Sequence, residues 1–502
     1  MTGRELLKLI EEEKKVAIYG AGMVGSLVLW KMEAWGISKS AIDFIVTKAF
    51  DNQYYMGHRV YSIDEYNDIE QCLIIVSTMP KNHGQILLEI KKRNLDNYII
   101  VDDELFLDME KSYIYDYLSN PQNSIEGGKD ILMMSSDNNT TSGAFICMVD
   151  LCRGMMDRGI KPLVVLPGYG NAEKMLRDNH IEYTFVQSRS GLTPIGEDGD
   201  EPYMNLIAIK EIERLIKKHY IKLVHLNSSH TYVGALAARN TERPYIWHIR
   251  ENIKEQGLKF IDEVKKYSLI NEAVEIIAVS DYVGSCYPQL NQDKVVCIYD
   301  GVDTKKYYYE HDIMTGETIR IMMPGIMVPL KGQHQLIKAA YGLKKSGMKF
   351  DISLVGSGDA NYIKMIEEMI DQFDLNDMVH LYGRINNLED WYRNTDIVVV
   401  CSRSEAFGRV TVEAQLAGCI VIGADCGATP ELIHDGITGY LYELDDVEML
   451  TAQIIKVCNN KDQALIIARR GQRQALEKFD KSLNCDNVLK EYKRILGDKL
   501  CS

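Results

Sequence analysis

Long apolar runs are missing from this sequence. A membrane-spanning helix needs roughly 18 apolar residues, and the nearest approach is the stretch AFICMVDLCRGMM, which Asp150 and Arg153 interrupt. The first residues, MTGRELLKLIEEEKK, form an amphipathic pattern without the apolar centre of a signal peptide. We therefore expect neither a membrane span nor a secretory leader.

A surplus of positive charge is also missing. The formal net charge is −15, from 57 Lys and Arg against 72 Asp and Glu. Nucleic acid binding needs a basic surface, because contacts to the phosphate backbone supply much of the affinity. The charge therefore argues against nucleic acid as a partner, although it leaves room for a local basic face toward a membrane.

Paired cysteines are missing as well. The 11 cysteines are scattered singly, no C-x-x-C pair occurs, and the total is odd. Disulfide frameworks and zinc sites need regular pairs, so neither is expected. Most of these cysteines lie in apolar runs, where cysteine behaves as a small hydrophobic residue. These features predict a cytoplasmic protein.

The sequence does contain a long alternation of short apolar strands with helical segments. Its 502 residues predict about three domains, and the alternation is typical of parallel, doubly wound α/β sheets. We expect a smaller Rossmann-like accessory domain with its linker at 1–125, followed by two Rossmann-like domains at 126–303 and 304–481. The C-terminal helix at 482–502 is expected to return to the second domain.

The first predicted domain contains a G-x-G-x-x-G motif formed by Gly20, Gly22 and Gly25. The motif follows the strand KKVAIYG and opens a helix, as a dinucleotide-binding turn does. The acid that would hold a ribose after the second strand is missing, because Thr47 and Lys48 stand there. NAD-dependent catalysis is therefore not expected. Nucleotide or NAD(P) binding remains an alternative to glycines that only permit tight packing of the helix on the strand.

The stretch IVVVCSRSEAFGRVTVE, residues 397–413, is the clearest site signal. Four β-branched residues, Ile397–Val400, predict a short buried strand that leads through a loop with Gly408 into a helix. A helix that begins in this way offers free amide groups to an anion. Glu405 in the loop and Glu413 in the helix flank that position. Taken alone, the window is equally compatible with a surface loop and solvated glutamates.

Other predicted strands of the third domain end in similar loops. Gly325 and Lys331 follow the strand TIRIMMP, Gly356 follows FDISLV, and Glu431 lies after CIVIG. Because parallel strands end at the same edge of a sheet, these loops should converge with the Glu405 loop. Glycines allow close backbone approach, lysine neutralises phosphate, and carboxylates accept hydrogen bonds from hydroxyl groups. The set predicts a site for a nucleoside diphosphate that carries a sugar.

The order of these motifs resembles a known enzyme family. The motifs are P-x-K-G, G-x-G, S-x-x-E-x-F-G-x-x-x-x-E and A-T-P-E-L-I-x-D-G-x-T-G, and the second domain adds Gly143, His248 and Asp300–Asp303. Over residues 129–500 the chain resembles retaining glycosyltransferases of family 4, the Glu-x7-Glu type. The resemblance implies the GT-B arrangement, in which two Rossmann-like domains form a cleft. The first domain lies outside this match and resembles Rossmann-like sugar-nucleotide domains fused to some bacterial glycosyltransferases.

The resemblance also implies a role for each matched residue. Among the catalytic residues, Glu405 would face the donor sugar, Lys331 would stabilise the diphosphate leaving group, and His248 would lie near the reacting sugar. Glu413 would bind the ribose hydroxyls. The other donor-binding positions would be Gly143, Gly325, Gly356, Phe407, Gly408, Arg409 and Glu431, with residues 407–409 contributing backbone amides.

The chain departs from the family at one position. Family members carry an arginine after the glycine at 325, where this chain has Ile326. A second cation for the diphosphate would have to be Arg250 or Arg403, and the sequence does not choose between them. No D-x-D pair follows a suitable strand, and Asp198–Asp200 lies in a polar loop. No metal ion is therefore expected to be needed.

Several residues keep a second interpretation. His248 has the alternative of a core position, and Glu431 has that of capping the helix that it begins. His225 and His230 flank a polar strand end, where ligand contact and simple loop polarity both stay open. The Gly- and Pro-bearing segment at 187–203 is interpreted as a mobile surface loop that contacts the acceptor.

We therefore expect a retaining, metal-independent hexosyltransferase that moves a sugar from a nucleotide-sugar to a glycan or lipid-linked acceptor, without a required cofactor. The expected setting is bacterial cell-surface polysaccharide synthesis, with peripheral association at the inner membrane face. The alternatives are a sugar-nucleotide epimerase or phosphorylase on the same scaffold, an NAD-dependent oxidoreductase centred on the first domain, and a catalytically inactive binding module.

Overall fold

The computed structural model describes the chain except residues 14, 22–24, 26–27, 30–31, 33–36, 48–53, 56–57, 79, 103, 106–107, 110, 112–124, 169, 200–201, 203, 311, 386 and 501–502. The chain divides into two compact units. The first contains Met1–Gly127, Asp137–Thr140 and Val165–Gln187, and the second contains Gly128–Ser136, Thr141–Val164 and Ser188–Ser502. The domain boundaries expected from the sequence stay a prediction.

The first sheet consists of β1 (Val16–Tyr19), β2 (Ile42–Val46), β3 (Tyr54–Tyr55), β4 (His58–Ser62), β5 (Leu73–Val76) and β6 (Tyr98–Ile100). The strand order is β3–β4–β2–β1–β5–β6, and every pair is parallel except β3 with β4. The sequence predicts β1, β2, β5 and β6 but misses the other two. The reason is that β3 has only two residues and β4 buries His58 and Ser62 in place of apolar side chains.

Gly20 and Gly25 are explained by close packing beside this sheet. A Cβ at Gly20 would lie 2.4 Å from the Thr78 Cγ2, and one at Gly25 would lie 2.0 Å from the Gly20 carbonyl oxygen. Neither position has room for a side chain, whether or not a ligand binds. Gly22, the third glycine of the motif, lies outside the described residues. Tight packing therefore accounts for two of the three glycines, and nucleotide binding there stays a prediction.

The next strands are β7 (Ile131–Met134), β8 (Pro162–Leu166), β9 (Tyr183–Phe185), β10 (Leu192–Pro194), β11 (Leu223–Leu226), β12 (Tyr245–Ile249), β13 (Leu258–Phe260), β14 (Glu275–Ala278) and β15 (Val295–Cys297). Seven of them form the second sheet, in the order β15–β14–β12–β11–β7–β8–β9. β10 and β13 pair separately and antiparallel. The prediction of a loop over 187–203 is therefore wrong at β10, which contains Pro194 in a Gly- and Pro-bearing segment.

The third sheet consists of β16 (Ile319–Pro324), β17 (Phe350–Val355), β18 (Val379–Tyr382), β19 (Ile397–Val400), β20 (Ile420–Ala424) and β21 (Tyr440–Tyr442). Its order is β18–β17–β16–β19–β20–β21, and all five pairs are parallel. The predicted strand at Ile397–Val400 is confirmed, and all four of its residues are buried. The parallel α/β fold class is thereby confirmed.

Seventeen helices are described, and they alternate with the strands. They are α1 (Gly3–Glu12), α2 (Pro80–Lys92), α3 (Gly143–Asp157), α4 (Glu173–Asp178), α5 (Met204–Lys218), α6 (Val233–Asn240), α7 (Glu263–Glu272), α8 (Asp281–Ser285), α9 (Thr304–Tyr307), α10 (Gln333–Lys345), α11 (Ala360–Gln372), α12 (Leu388–Arg393), α13 (Arg409–Leu416), α14 (Thr429–Leu432), α15 (Val447–Asn459), α16 (Lys461–Lys478) and α17 (Lys481–Leu496). None of these described helices has both the length and the apolar character that a bilayer crossing requires.

The last helix, α17, lies against α3, which follows the first strand of the second sheet. A Cβ at Gly154 would lie 2.6 Å from the Cys485 Sγ, so glycine permits the close approach of the two helices. The Arg158 Nη2 lies 2.7 Å from the Asp486 Oδ1. The chain thus returns from the third sheet to a helix beside the second.

Candidate active site

Lys331 and Glu405, two of the three predicted catalytic residues, form an ion pair at the edge of the third sheet. The Lys331 Nζ lies 2.6 Å from the Glu405 Oε1, and the side chains are 28% and 16% exposed. Lys331 ends a short turn, Pro329–Lys331, after β16, and Glu405 lies in the loop after β19. A cation and an acid therefore meet where neighbouring parallel strands end, within reach of solvent.

The loops that carry these residues are packed on one another. The Arg403 amide donates to the Leu330 carbonyl, and the Ala428 amide donates to the Glu405 carbonyl, both at 2.9 Å. A Cβ at Gly427 would lie 2.8 Å from the Glu405 amide nitrogen. The loops after β16, β19 and β20 thus converge, as the strand-end argument predicts.

Gly325 and Gly356 lie side by side at the same edge. A Cβ at Gly356 would lie 2.0 Å from the Gly325 carbonyl oxygen, whereas a Cβ at Gly325 would meet no heavy atom within 4 Å. The following residue, Ile326, is 54% exposed although it is apolar. The structure therefore has open space at Gly325, beside Ile326, where the resemblance implies an arginine.

The start of α13 has no side-chain cap. The N-cap residue is Gly408, with φ of 101°, and it has no side chain that could accept from the first amides of the helix. Phe407, which precedes it, is buried, and its ring centroid lies 6.0 Å from that of Tyr299 and 5.7 Å from that of Phe479. The loop is thus anchored by an aromatic cluster, while the helix start keeps the uncapped form of an anion site.

Glu413, the predicted ribose ligand, is 6% exposed in the middle of α13. The Tyr392 hydroxyl donates to its Oε2 at 3.3 Å, and the Arg409 Nη2 lies 3.5 Å from its Oε1. Burial raises the pKa of Glu413 above its ordinary value, an effect that Arg409 opposes. The Arg409 Nη1 also donates to the Gly301 carbonyl at 3.0 Å, and a Cβ at Gly143 would lie 3.7 Å from the Arg409 Cδ. Arg409 therefore brings the predicted residues Gly143 and Glu413 together.

His248, the third predicted catalytic residue, is fully buried within β12. Its Nδ1 lies 3.3 Å from the Arg250 Nη2 and 3.2 Å from the His225 Nε2. Since guanidinium only donates, the Nδ1 is an acceptor and the His248 proton is on Nε2. The Tyr492 hydroxyl then donates to the His225 Nδ1, at 2.6 Å. His248 thus has the surroundings of a core residue, but its Nε2 has no hydrogen-bond partner among the described residues, so its contact with the sugar stays a prediction.

The two imidazoles are neutral in this network. Burial, together with the charge of Arg250, lowers the pKa of His225 to about 3 and that of His248 well below its ordinary value. His225 is thus enclosed rather than open to a ligand. His230 lies at the strand end, with its Nε2 3.8 Å from the Glu251 Oε1. The sequence gives no signal for Tyr492, which is contributed by α17.

Replacing Tyr492 with phenylalanine should lower the free energy of unfolding by about 1–3 kcal/mol, because the buried His225 Nδ1 would lose its donor. Urea unfolding followed by circular dichroism measures the change. Tyr220→Phe is the matched control, since Tyr220 is 76% exposed. Equal stability of the two variants would contradict this account of the network.

The two candidate replacements for the missing arginine differ in their surroundings. Arg250 is 3% exposed, forms an ion pair with Asp300 and donates from its Nε to the Asn227 Oδ1 at 3.0 Å. Arg403 is 53% exposed, and its Nη2 lies 2.5 Å from the Asp445 Oδ2. Arg403 also lies on the loop whose backbone bonds to the Lys331 turn, and the choice between the two arginines stays a prediction.

Glu431 does not cap the helix in which it lies, and its contact with the donor stays a prediction. Its carboxylate accepts hydrogen bonds from the amides of Asp281 (3.0 Å) and Tyr282 (2.7 Å), at the start of α8 beside the second sheet. It therefore caps α8, the helix that follows β14 of the second sheet, and both of its carboxylate oxygens accept hydrogen bonds. Asp281, Cys297 and Glu431 also have ligand-type atoms within 4.8 Å of one another, the one such group among the described residues.

Two adjoining segments match known families. Residues 141–306 match the family described as Glycosyltransferase Family 4, and residues 314–474 match Glycosyl transferases group 1. An uncharacterized glycosyltransferase of Methanocaldococcus jannaschii is 27% identical over 274 residues, which cover 53% of this chain and 73% of the relative. The capsular polysaccharide biosynthesis glycosyltransferase CapM of Staphylococcus aureus is 23% identical, over 53% of this chain and 74% of its own.

A solved structure shares the fold. The crystal structure of HepE from Anabaena, in complex with UDP and glucose, superposes with a TM-score of 0.62 and 22% identity. The match covers 73% of this chain and all of HepE. The second and third sheets therefore have the GT-B fold that the resemblance implied.

Proposed function

We propose that this chain, which carries a GT-B glycosyltransferase unit similar to family 4 and group 1 over residues 141–474, transfers a sugar from a nucleotide-sugar to a glycan or lipid-linked acceptor with retention of configuration. The observation that carries the proposal is the Lys331–Glu405 ion pair at 2.6 Å. It lies at the strand ends of a parallel sheet, beside the open space at Gly325 and an uncapped helix start.

In this proposal the diphosphate of the donor binds at Lys331 and the start of α13. The lysine then offsets the negative charge that develops on the leaving phosphate as the glycosidic bond parts, which is the step where a fixed cation contributes most. Glu405, freed from the ion pair, accepts a hydrogen bond from a sugar hydroxyl. The departing phosphate oxygen takes the proton of the acceptor, which attacks from the same face of an oxocarbenium-like sugar.

The remaining residues would support the donor. Glu413 would hold the ribose, with Arg409 keeping its carboxylate in place, and the backbone amides of residues 407–409 would contact phosphate or sugar. The unpartnered Nε2 of His248 would donate to the sugar. Its depressed pKa makes it a hydrogen-bond donor and not a general acid.

The biological setting is proposed by analogy. The relatives include a capsular polysaccharide enzyme, so we propose bacterial surface polysaccharide synthesis, at the cytoplasmic face of the membrane, where a lipid-linked acceptor would be met. Residues 1–125, which lie outside both family matches, would form an accessory Rossmann-like domain. These assignments rest on family resemblance alone.

The test begins with a thermal-shift screen of the full chain against nucleotide-sugars, with UDP-glucose first and NAD(H) included. Sugar transfer to lipid-linked and glycan acceptors is then measured with the stabilising donor, and the anomeric configuration of the product is read by NMR. Retention supports the proposal. Inversion, a requirement for orthophosphate, conversion of the donor without an acceptor, or redox turnover of NAD(H) would overturn it.

Replacing Glu413 with glutamine should weaken UDP binding about tenfold, because a ribose hydroxyl would lose a charged acceptor. Isothermal titration calorimetry with UDP measures the Kd, and the Tm of each protein is recorded to check the buried site. An unchanged Kd would remove Glu413 from the ribose site. The matched control is Glu448→Gln, an exposed residue in the first turn of α15.

A further inference from the structure

Ser280 joins the second sheet to the Glu405 loop. It lies after β14 and caps α8, since its Oγ accepts from the Val283 amide at 3.1 Å. The same hydroxyl donates its only proton to the Ala406 carbonyl, at 2.5 Å and 126 residues further along the chain. Ala406 is the residue after Glu405, so this bond fixes the backbone beside the predicted catalytic acid.

Two more bonds start from the same short helix. The amides of Asp281 and Tyr282 donate to the two carboxylate oxygens of Glu431, as described above. Together the five residues, Ser280, Asp281, Tyr282, Ala406 and Glu431, connect the second and third sheets, and we call them the clasp. All five belong to the second compact unit.

The clasp holds the Glu405 loop from both sides. Ser280 holds the peptide between Ala406 and Phe407, while the Glu431 loop supports Glu405 itself through the bond from the Ala428 amide to the Glu405 carbonyl (2.9 Å). The Glu431 loop is in turn held by the amides of α8. The two loops around Glu405 are therefore bonded to α8, the helix that follows β14 of the second sheet.

We propose that the clasp positions Glu405 against Lys331 for transfer. This inference rests on the proposed function. Ser280 and Glu431 act as positioning residues, because they reach the reacting atoms only through the Glu405 loop.

Ser280→Asp is the variant that separates positioning from helix capping. Aspartate remains a good N-cap residue, so α8 keeps its cap, but a carboxylate has no proton for the Ala406 carbonyl. We expect kcat to fall about tenfold to 100-fold, as displaced catalytic groups do. The Kd for UDP should change less than about twofold, because Lys331 and Glu413 are unaltered and the Phe407 ring stays packed against Tyr299 and Phe479. Ser280→Thr should retain most of the wild-type kcat, since threonine keeps the hydroxyl.

Ser285→Asp is the matched control. It introduces the same side chain at the exposed end of the helix that Ser280 caps. Among the described residues, the Ser285 hydroxyl bonds only to the Tyr282 carbonyl of the same helix, at 2.7 Å. Small-angle X-ray scattering of the full chain with UDP gives a readout independent of turnover, and Ser280→Asp and Glu431→Gln should both show a larger radius of gyration than Ser285→Asp.

The outcomes separate the clasp from the proposed function. An active wild-type protein with Ser280→Asp equal to Ser285→Asp in kcat overturns the clasp and leaves the glycosyltransferase intact. A wild-type protein that transfers no sugar overturns the function, and scattering then decides whether the clasp joins the sheets. Identical scattering of all variants contradicts the clasp in either case.

Discussion

Replacing Lys331 with methionine should lower kcat by about 100-fold or more at saturating donor. The reason is that the leaving diphosphate gains charge as the sugar departs, and a fixed donor or cation at such a point is worth about 10²–10³-fold. Methionine keeps the unbranched length of the side chain but carries no charge. The effect should be larger here than in a site with two cations, because Ile326 occupies the position of the family's arginine.

The experiment compares single-turnover rates of the full chain with a matched lysine variant. Lys349→Met is suitable, because Lys349 lies on the same domain, is 69% exposed and pairs with Glu317 away from the strand ends. A lysine that merely holds Glu405 in place would have no effect once Glu405 is replaced. The leaving-group role would therefore be contradicted if the double variant Lys331→Met with Glu405→Gln were no slower than Glu405→Gln alone. Arg403→Met should lower kcat further only if Arg403 supplies the second cation.

The sequence was sufficient for features that depend on neighbouring residues. Runs such as Ile397–Val400 are long and apolar enough to require a buried strand, and the order of strand-end loops then placed Lys331 and Glu405 together. The strand β10 escaped because Leu192–Pro194 contains a proline and follows a glycine, a composition that is typical of loops.

Contacts between distant parts of the chain were not predictable in the same way. The Glu431 carboxylate reaches the Asp281 amide 150 residues away, and Tyr492 reaches His225 across 267 residues. Each partner is an ordinary backbone amide or a tyrosine on a helix, so no local pattern marks it. The functional assignment of His248 could be made by motif position, but its burial depends on packing that only the fold defines.

Glu405→Gln should abolish measurable transfer, with a loss on the order of 10²–10³-fold or more, while the Kd for UDP stays within about threefold of wild type. Glutamine has nearly the shape of glutamate, so the loop held by Ala428 and Ser280 should not move. The substitution removes the negative charge that faces the sugar. A hydroxyl of the donor would then bond to a neutral acceptor while positive charge develops on the ring.

This prediction distinguishes Glu405 from the other acids of the site, because its replacement should lower kcat without raising the Kd for UDP. UDP lacks the sugar that is transferred, so its affinity should depend on Lys331 and Glu413 and not on Glu405. Loss of the ion pair at 2.6 Å should even leave Lys331 freer to bind phosphate, which predicts equal or tighter UDP binding. Glu443→Gln removes one negative charge from an exposed position of the same domain and should leave both quantities unchanged. A Glu405→Gln variant that turns over normally would exclude Glu405 from the reacting centre, and one that loses UDP affinity would place it at the nucleotide instead.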